Sequence, residues 1–284
     1  MRLKTPIPHR LLTLAALAVV FTGASPPPLR IASTAPGFTE ILFAIGAEDQ
    51  LVADSDYCAY PEAARAKPKI GGPFNLNYER LVALRADLVV VPKSLTGIAE
   101  RCQSLGLRVE ALPNETISDL LSAIRRLGVV TGNEAAALSL AADIERELAV
   151  APATDVLPVR ALIVVFRAAD SLQDLTVATR DTFLSELLTR AGGRNVMGSA
   201  ISRYPRVSKE EVVAFDPDVI LDLTFTAEGE DVLGVWSQLP TLKAVRTKRV
   251  VSISDPSATI PGPRMLETLR RFRTILSAPA ALPP

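Results

Sequence analysis

Two glutamates, Glu79 and Glu210, occupy matching positions in a segment that occurs twice in the chain. The sequence NYERLVALRADLVV at residues 77–90 resembles SKEEVVAFDPDVIL at residues 208–221, with a constant offset of 131 residues. In each copy a polar residue that can cap a helix precedes an apolar helical face, an aspartate and a buried strand. A matched pair of carboxylates can form ion pairs with two arginines of a symmetric partner. The alternative is that each carboxylate only complements the N-terminus of its own helix.

The N-terminal segment has the layout of a secretory signal peptide. A basic start precedes an uncharged apolar run at residues 11–21, and small residues follow at 22–24. The alternative, a membrane anchor, is disfavoured because the run is shorter than the ~20 residues that span a bilayer. We therefore expect residues 1–24 to be removed near Ala24, which leaves a secreted, periplasmic protein.

Side-chain catalysis has few candidate groups in this chain. The single histidine, His9, falls in the predicted signal peptide. Without histidine the remaining chain has no Ser-His-Asp or Cys-His arrangement and no histidine-rich metal site. Carboxylates, lysines, tyrosines and cysteines form no cluster with a recognisable catalytic spacing. The sequence therefore predicts a protein that is not an enzyme and that has neither a catalytic cofactor nor a resident metal.

The charge balance argues against a nucleic-acid partner. Lys plus Arg and Asp plus Glu number 31 each, and removal of residues 1–24 would leave 28 basic against 31 acidic residues. A protein that follows phosphates needs a basic excess, which is absent here. Several arginines near expected strand or helix ends are still candidates for local anion contacts, with simple solvation as the alternative: Arg167, Arg203, Arg206 and Arg264.

Two cysteines, Cys58 and Cys102, remain in the expected mature chain. An oxidising compartment permits a disulfide between them, but sequence alone cannot supply the required geometry. Cys102 lies in a helix-like stretch and is better explained as a small buried apolar residue.

Short β-branched runs alternate with helical stretches along the chain, which is typical of parallel α/β units. A helical segment at about residues 118–150 divides two such sets, and Thr131-Gly132-Asn133 interrupts it, so we expect two helices or one helix with a break. A looser repeat relates residues 39–53 to residues 182–197, each a helix, a glycine and a strand. We therefore predict two related Rossmann-like lobes with parallel sheets, at residues 25–117 and 153–284. A helical connector at residues 118–152 joins them, and a ligand cleft lies between them.

Five short motifs in fixed order carry a family resemblance. They are STAPGFTEIL at 33–42, DYCAYP at 56–61, NYERLVAL at 77–84, GGRN at 192–195 and PRVSKE at 205–210. From about residue 29 to residue 272 the chain resembles the ABC-importer binding proteins that carry cobalamin, haem and iron-siderophores, and it is most similar in pattern to the cobalamin binders. The resemblance implies a monomer that docks on arginines of a permease dimer through Glu79 and Glu210.

The resemblance also implies ligand contacts in the cleft. Tyr57 matches an aromatic residue that lines the cleft of the cobalamin binders, and Tyr204 aligns with another. Phe74 lies near the place where those proteins have a tryptophan, and this chain has no tryptophan at that place. An aromatic ring can cover the apolar face of a large macrocycle. For Tyr57 the alternative is core packing.

Four further residues are candidates because of their positions. Phe166 ends the first strand of the second lobe and is either a ligand contact or part of the core. Cys58 points either into the cleft or into its lobe. Pro36 and Asp255 follow strands at the carboxyl edge, where open α/β sheets bind ligands. Asp255 either contacts ligand amides or caps the final helix near Pro263.

The sequence thus predicts a periplasmic solute-binding protein that captures a corrinoid and delivers it to an ABC permease without chemistry. Within the same class, the ligand could instead be haem or a ferric siderophore. Haem bound through histidine is excluded, although tyrosine alone can ligate iron. A periplasmic sensor is a further alternative, which would keep the cleft but would not need the matched glutamates.

Overall fold

The computed structural model describes residues 29–151, 157–224 and 231–278 of the chain. The predicted signal peptide at residues 1–24 lies outside the described residues, as does residue 152 at the predicted end of the connector.

The first lobe is a four-stranded parallel sheet with helices. Its strands run in the order β2-β1-β3-β4, with every neighbouring pair parallel. The strands are β1 (Ile31–Ser33), β2 (Leu51–Asp54), β3 (Leu88–Pro92) and β4 (Arg108–Leu112). The helices are α1 (Pro36–Ala44), α2 (Glu62–Arg65), α3 (Tyr78–Ala83) and α4 (Thr96–Ser104). The apolar runs of β1 and β3 are completely buried, as expected for central strands of a parallel sheet.

Two helices connect the lobes, α5 (Ile117–Thr131) and α6 (Glu134–Leu148). Gly132 ends α5 in the left-handed conformation, with a φ of 75°, so the predicted interruption is a helix end and not a kink. Near this turn the side chain of Asn133 donates to the carbonyl of Ile45 at 2.7 Å. At the far end of α6, Arg270 donates both of its hydrogen bonds to Glu147, at 2.7 and 2.6 Å. Helix α6 is therefore tied to both lobes.

The second lobe has the same order of parallel strands as the first. Strand β5 pairs in parallel with β7 and β8, β8 pairs with β9, and the short β6 is antiparallel to β5. The strands are β5 (Val159–Phe166), β6 (Thr176–Val177), β7 (Gly193–Asn195), β8 (Val219–Asp222) and β9 (Val250–Ser252). The helices are α7 (Phe183–Arg190), α8 (Lys209–Phe215), α9 (Val232–Trp236), α10 (Lys243–Arg246) and α11 (Met265–Ser277), with a 3-10 turn at Pro256–Thr259.

The sequence repeat is a structural repeat. Asp87 accepts a hydrogen bond from the backbone N–H of Arg30 at 2.9 Å, and Asp218 accepts one from Arg160 at the same distance. These aspartates fix the start of β3 against β1 in the first lobe and the start of β8 against β5 in the second. The two-lobed α/β fold with mostly parallel sheets is confirmed.

A buried polar cluster anchors the second lobe. Arg167 is almost completely buried, and its Nε donates to Asp222 at 2.8 Å, so the alternatives of anion contact and solvation are both wrong for this residue. The indole N–H of Trp236 donates to the same carboxylate at 2.9 Å, and Trp236 is fully buried. One carboxylate thus satisfies two large buried donors.

Candidate functional site

The carboxyl edges of the two sheets face each other. Helix α1 follows β1, and a Cβ placed on its Gly37 would lie 2.3 Å from the backbone oxygen of Pro261, which follows β9. On the other side of the interface, the N–H of Phe183 at the start of α7 donates to the carbonyl of Glu115, which follows β4, at 2.8 Å. These two contacts bring the ends of both sheets together, where open α/β sheets bind ligands.

A cavity of about 340 Å³ lies between the lobes. Its lining comes from both lobes: Asn114, Glu115, Val165, Leu184, Tyr204, Thr259 and Pro261. Burial raises the pKa of the Tyr204 hydroxyl, and the charge of Glu115 raises it further. The hydroxyl therefore stays protonated and can donate a hydrogen bond to a bound molecule. Of the lining residues, the sequence singled out Tyr204 alone.

Two exposed aromatic rings stand at the facing edges. Tyr57 follows β2 and is 63% exposed, and its ring lies so close to Gly72 that a Cβ there would be 2.5 Å from Tyr57 Cε2. Phe166 ends β5 in the opposite lobe and is 53% exposed. Neither ring is core packing, which was the alternative for both. Phe74 is 97% exposed on the loop before α3, so its ring is also available for contact.

The loop that carries Tyr57 is held by a buried polar network. The Nζ of Lys69 donates to Asp54 Oδ1 at 2.7 Å and to the backbone carbonyls of Cys58 and Ala64 at 2.9 and 3.0 Å. Burial raises the pKa of Asp54 to about 6, although the charge and hydrogen bond of Lys69 act in the opposite direction. Lys69 therefore links Asp54, which precedes Tyr57, to Cys58 and Ala64, which follow it.

Cys58 points into the first lobe. It is 2% exposed, and its sulfur lies 3.2 Å from Thr39 Oγ1 and 3.3 Å from Ser55 Oγ. Burial raises the pKa of the thiol, which disfavours the thiolate that a metal centre would require. Cys102 is also buried, as predicted, and both cysteines are free, so there is no disulfide between them.

Asp255 caps a different element from the one considered. Its carboxylate accepts hydrogen bonds from the backbone N–H and hydroxyl of Ser257, at 2.9 and 2.8 Å, at the start of the 3-10 turn. It also pairs with Arg271 at 2.9 Å. Burial alone would raise the pKa of Asp255, but these hydrogen bonds and the nearby arginines outweigh it and lower the pKa. Pro36, the first residue of α1, is half-buried at the carboxyl edge of the first sheet.

A buried ion pair between the lobes was missed by the sequence reasoning. Glu40 on α1 pairs with Arg264, just before α11, at 2.6 Å, and the guanidinium of Arg264 lies 4.0 Å from the centroid of the Tyr60 ring. Burial raises the pKa of Glu40, and its contact with Arg264 acts against that shift. The guanidinium of Arg264, which was a candidate anion contact, is therefore already paired with a carboxylate of the opposite lobe.

The looser repeat relates this contact to a second contact across the interface. An offset of 146 relates Gly46 to Gly192 and also Glu40 to Glu186. Glu186 on α7 accepts a hydrogen bond from the N–H of Ile117, the first residue of α5, at 3.1 Å. In both lobes, then, a glutamate on the first helix contacts the start of a helix on the other side of the interface, α11 for Glu40 and the connecting helix α5 for Glu186.

The matched glutamates lie at equivalent helix starts. Glu79 is the second residue of α3, after the cap Asn77, and Glu210 is the second residue of α8, after the cap Ser208. Both are exposed, and neither forms an ion pair with any residue that the structure describes. The N-terminus of a helix that follows a strand of a parallel sheet lies at the carboxyl edge of that sheet, so the starts of α3 and α8 occupy equivalent places in the two lobes.

Within the described ranges, no group of three or more histidine, cysteine or acidic side chains could hold a metal ion. The same part of the chain contains no helix that is long and apolar enough to cross a membrane.

Comparison with known proteins identifies the chain's relatives. A family model described as periplasmic binding protein matches residues 31–256. The vitamin B12-binding protein of Vibrio parahaemolyticus is 28% identical over 255 residues, which cover 87% of this chain and 89% of that protein. The cobalamin-binding protein of Halobacterium salinarum is 28% identical over 263 residues, which cover 86% of this chain and 68% of that protein.

Solved structures show the same fold. A periplasmic heme binding protein from Pseudomonas aeruginosa superposes with a TM-score of 0.76 at 26% identity, covering 90% of this chain and 96% of that one. The periplasmic vitamin B12 binding protein of Vibrio cholerae superposes with a TM-score of 0.74 at 23% identity, covering 88% and 97% of the two chains.

Proposed function

The chain belongs to the periplasmic binding protein family, and from this membership we propose that it is the solute-binding subunit of an ABC importer whose solute is a corrinoid. The observation that carries the proposal is the cavity lined by both lobes, together with the exposed aromatic rings of Tyr57 and Phe166, each of which lies at or just after the end of a strand of its own lobe. A binding protein of this kind captures and presents its solute and does no chemistry.

The proposed ligand contacts are Tyr57, Phe74, Phe166 and Tyr204, with Pro36 at the edge of the site. Exposed rings on opposite lobes can cover the two faces of a macrocycle, which buries apolar area with little ordering of the protein. Cys58 and Asp255 were also expected here. Their side chains are engaged within their own lobes, so we propose that they support the site and do not contact the solute.

The preference for a corrinoid over other metal chelates rests on the relatives named for vitamin B12 or cobalamin. Haem is the second candidate because of the similarity to the heme binding protein of Pseudomonas aeruginosa.

We further propose that residues 1–24 are a signal peptide and that residues 25–117, 118–152 and 153–284 form the first lobe, the connector and the second lobe. The mature protein acts as a monomer. Glu79 and Glu210, exposed and without ion pairs among the described residues, dock on arginines of a permease dimer.

Visible spectroscopy tests the choice of solute. The processed protein is mixed separately with cyanocobalamin, haemin and a set of ferric siderophores, and free ligand is then removed by gel filtration. We expect the cobalamin spectrum to be retained at one equivalent per chain. Retention of haem or of a siderophore instead would reassign the solute within the family, and retention of none would contradict the proposed function.

A further inference from the structure

A second cavity, of about 590 Å³, lies in the second lobe against α7 and β7. Its lining residues are Arg180, Ser185, Glu186, Thr189, Arg190, Arg194 and Asn195. None of these residues lines the cavity between the lobes. The resemblance, the repeat and the proposed function assign no role to it.

The charges around this cavity are unbalanced. Arg190 donates one hydrogen bond to the carbonyl of Leu148 at 3.0 Å. The guanidinium groups of Arg180 and Arg194 have no hydrogen-bond or ion-pair partner among the described residues. Glu186 is the one acidic residue in the lining, and its carboxylate already accepts the N–H of Ile117. Three cations therefore surround the space with a single carboxylate.

A serine hydroxyl adds a directional donor. Ser185 lines the cavity although the residue as a whole is only 4% exposed. A hydroxyl beside guanidinium groups suits an oxygen-rich anion.

The equivalent place in the first lobe differs in how its arginines are paired. At the offset of 146, Glu40, Phe43 and Ala44 correspond to Glu186, Thr189 and Arg190, and the first three line a cavity of about 400 Å³ beside α11. Arg264 and Arg270 also line that cavity, but each forms an ion pair, with Glu40 and Glu147 respectively. The repeated fold thus forms a hollow beside the first helix of each lobe, and the hollow of the second lobe has arginines without such partners.

We propose that the cavity lined by Arg180, Arg190, Arg194 and Ser185 is a binding site for a phosphate group. Guanidinium groups bind phosphate through paired, charge-assisted hydrogen bonds, and three of them offset the charge of Glu186 and the one or two negative charges of a phosphate group. The phosphate could belong to a free phosphate compound or to the headgroup of an anionic lipid. This inference does not depend on the identity of the solute between the lobes.

Calorimetric titration of the processed protein tests the proposal, with inorganic phosphate and pyrophosphate as probes at constant ionic strength. In a parallel arm, vesicles containing phosphatidylglycerol are mixed with the protein and recovered by flotation. We expect saturable binding in at least one arm. Binding of the free anions would identify a soluble phosphate compound as the ligand class, and binding of the vesicles alone would identify a lipid headgroup.

Paired variants separate a defined site from general charge. In Arg180→Ala/Arg194→Ala we expect the Kd to rise at least tenfold. The control Arg101→Ala/Arg108→Ala removes the same charge from exposed positions outside the cavity and should change the Kd less than twofold. Ser185→Ala should weaken binding by a smaller factor. An absence of saturable binding in both arms, or equal loss in the two double variants, would overturn the proposal.

Discussion

Replacing Glu79 and Glu210 together with alanine is expected to lower permease-dependent uptake of the solute at least tenfold while solute binding stays unchanged. Charge-assisted hydrogen bonds contribute about 1.5–3 kcal/mol each, so the loss of two such contacts weakens docking by two orders of magnitude or more. Neither side chain contacts another charged group among the described residues, so the fold itself should lose little. The measurement is the initial rate of uptake in cells in which the variant is the sole binding protein.

The matched control for this experiment is Glu100→Ala/Glu134→Ala. Both residues are exposed and lie on helices, and Glu134, like Glu79, falls in the first turn of its helix. Because the control removes the same charge, it should leave uptake within twofold of the unmodified protein. Full uptake by the Glu79/Glu210 variant, or loss of solute binding by it, would count against docking through these residues.

Replacing Gly37 with alanine is expected to cost on the order of 2 kcal/mol of unfolding free energy, a typical penalty for forcing an atom into a packed contact. The new Cβ would lie 2.3 Å from the backbone oxygen of Pro261 and 3.1 Å from its carbonyl carbon. Since both neighbours are backbone atoms of the opposite lobe, no side-chain rotation can relieve the overlap. The midpoint of thermal unfolding should fall by about 4–8 °C in a chain of this size.

Gly97→Ala is the control for this substitution. Gly97 is the second residue of α4, as Gly37 is of α1, but a Cβ at Gly97 would meet nothing within 4 Å. Alanine is the better helix former, so Gly97→Ala should be neutral or stabilise slightly. If the two variants had equal melting temperatures, the lobes would not be packed against each other at Gly37.

The sequence predicts the architecture well because each copy of the repeat contains residues that specify local structure. The caps Asn77 and Ser208, the buried runs of β3 and β8, and the aspartates before them each specify a local structure, and the constant offset makes them a pair. The glycine at position 132 is also a local signal: it predicts an interruption of the helical segment, and the structure shows that α5 ends there in the left-handed conformation.

Contacts between the lobes were not predictable in this way. Glu40 and Arg264 lie 224 residues apart, and nothing local in either segment indicates a buried ion pair. The environment of Cys58 depends on Thr39 and Ser55, which approach it only after β1 and β2 pair. Asp255 was considered as a cap of the final helix, but it caps a 3-10 turn that is too short to show a helical period in the sequence.

The central claim is that the solute binds between the lobes. Diffraction at the cobalt absorption edge, from crystals of the protein with cyanocobalamin, measures the position of the solute directly. The account predicts one anomalous peak between the lobes, with the corrin ring against Tyr57 and Phe166 and a lobe arrangement that keeps the Glu40–Arg264 pair intact. A cobalt peak on an outer surface of either lobe would contradict this position. So would the absence of a cobalt peak in crystals grown in the presence of the ligand.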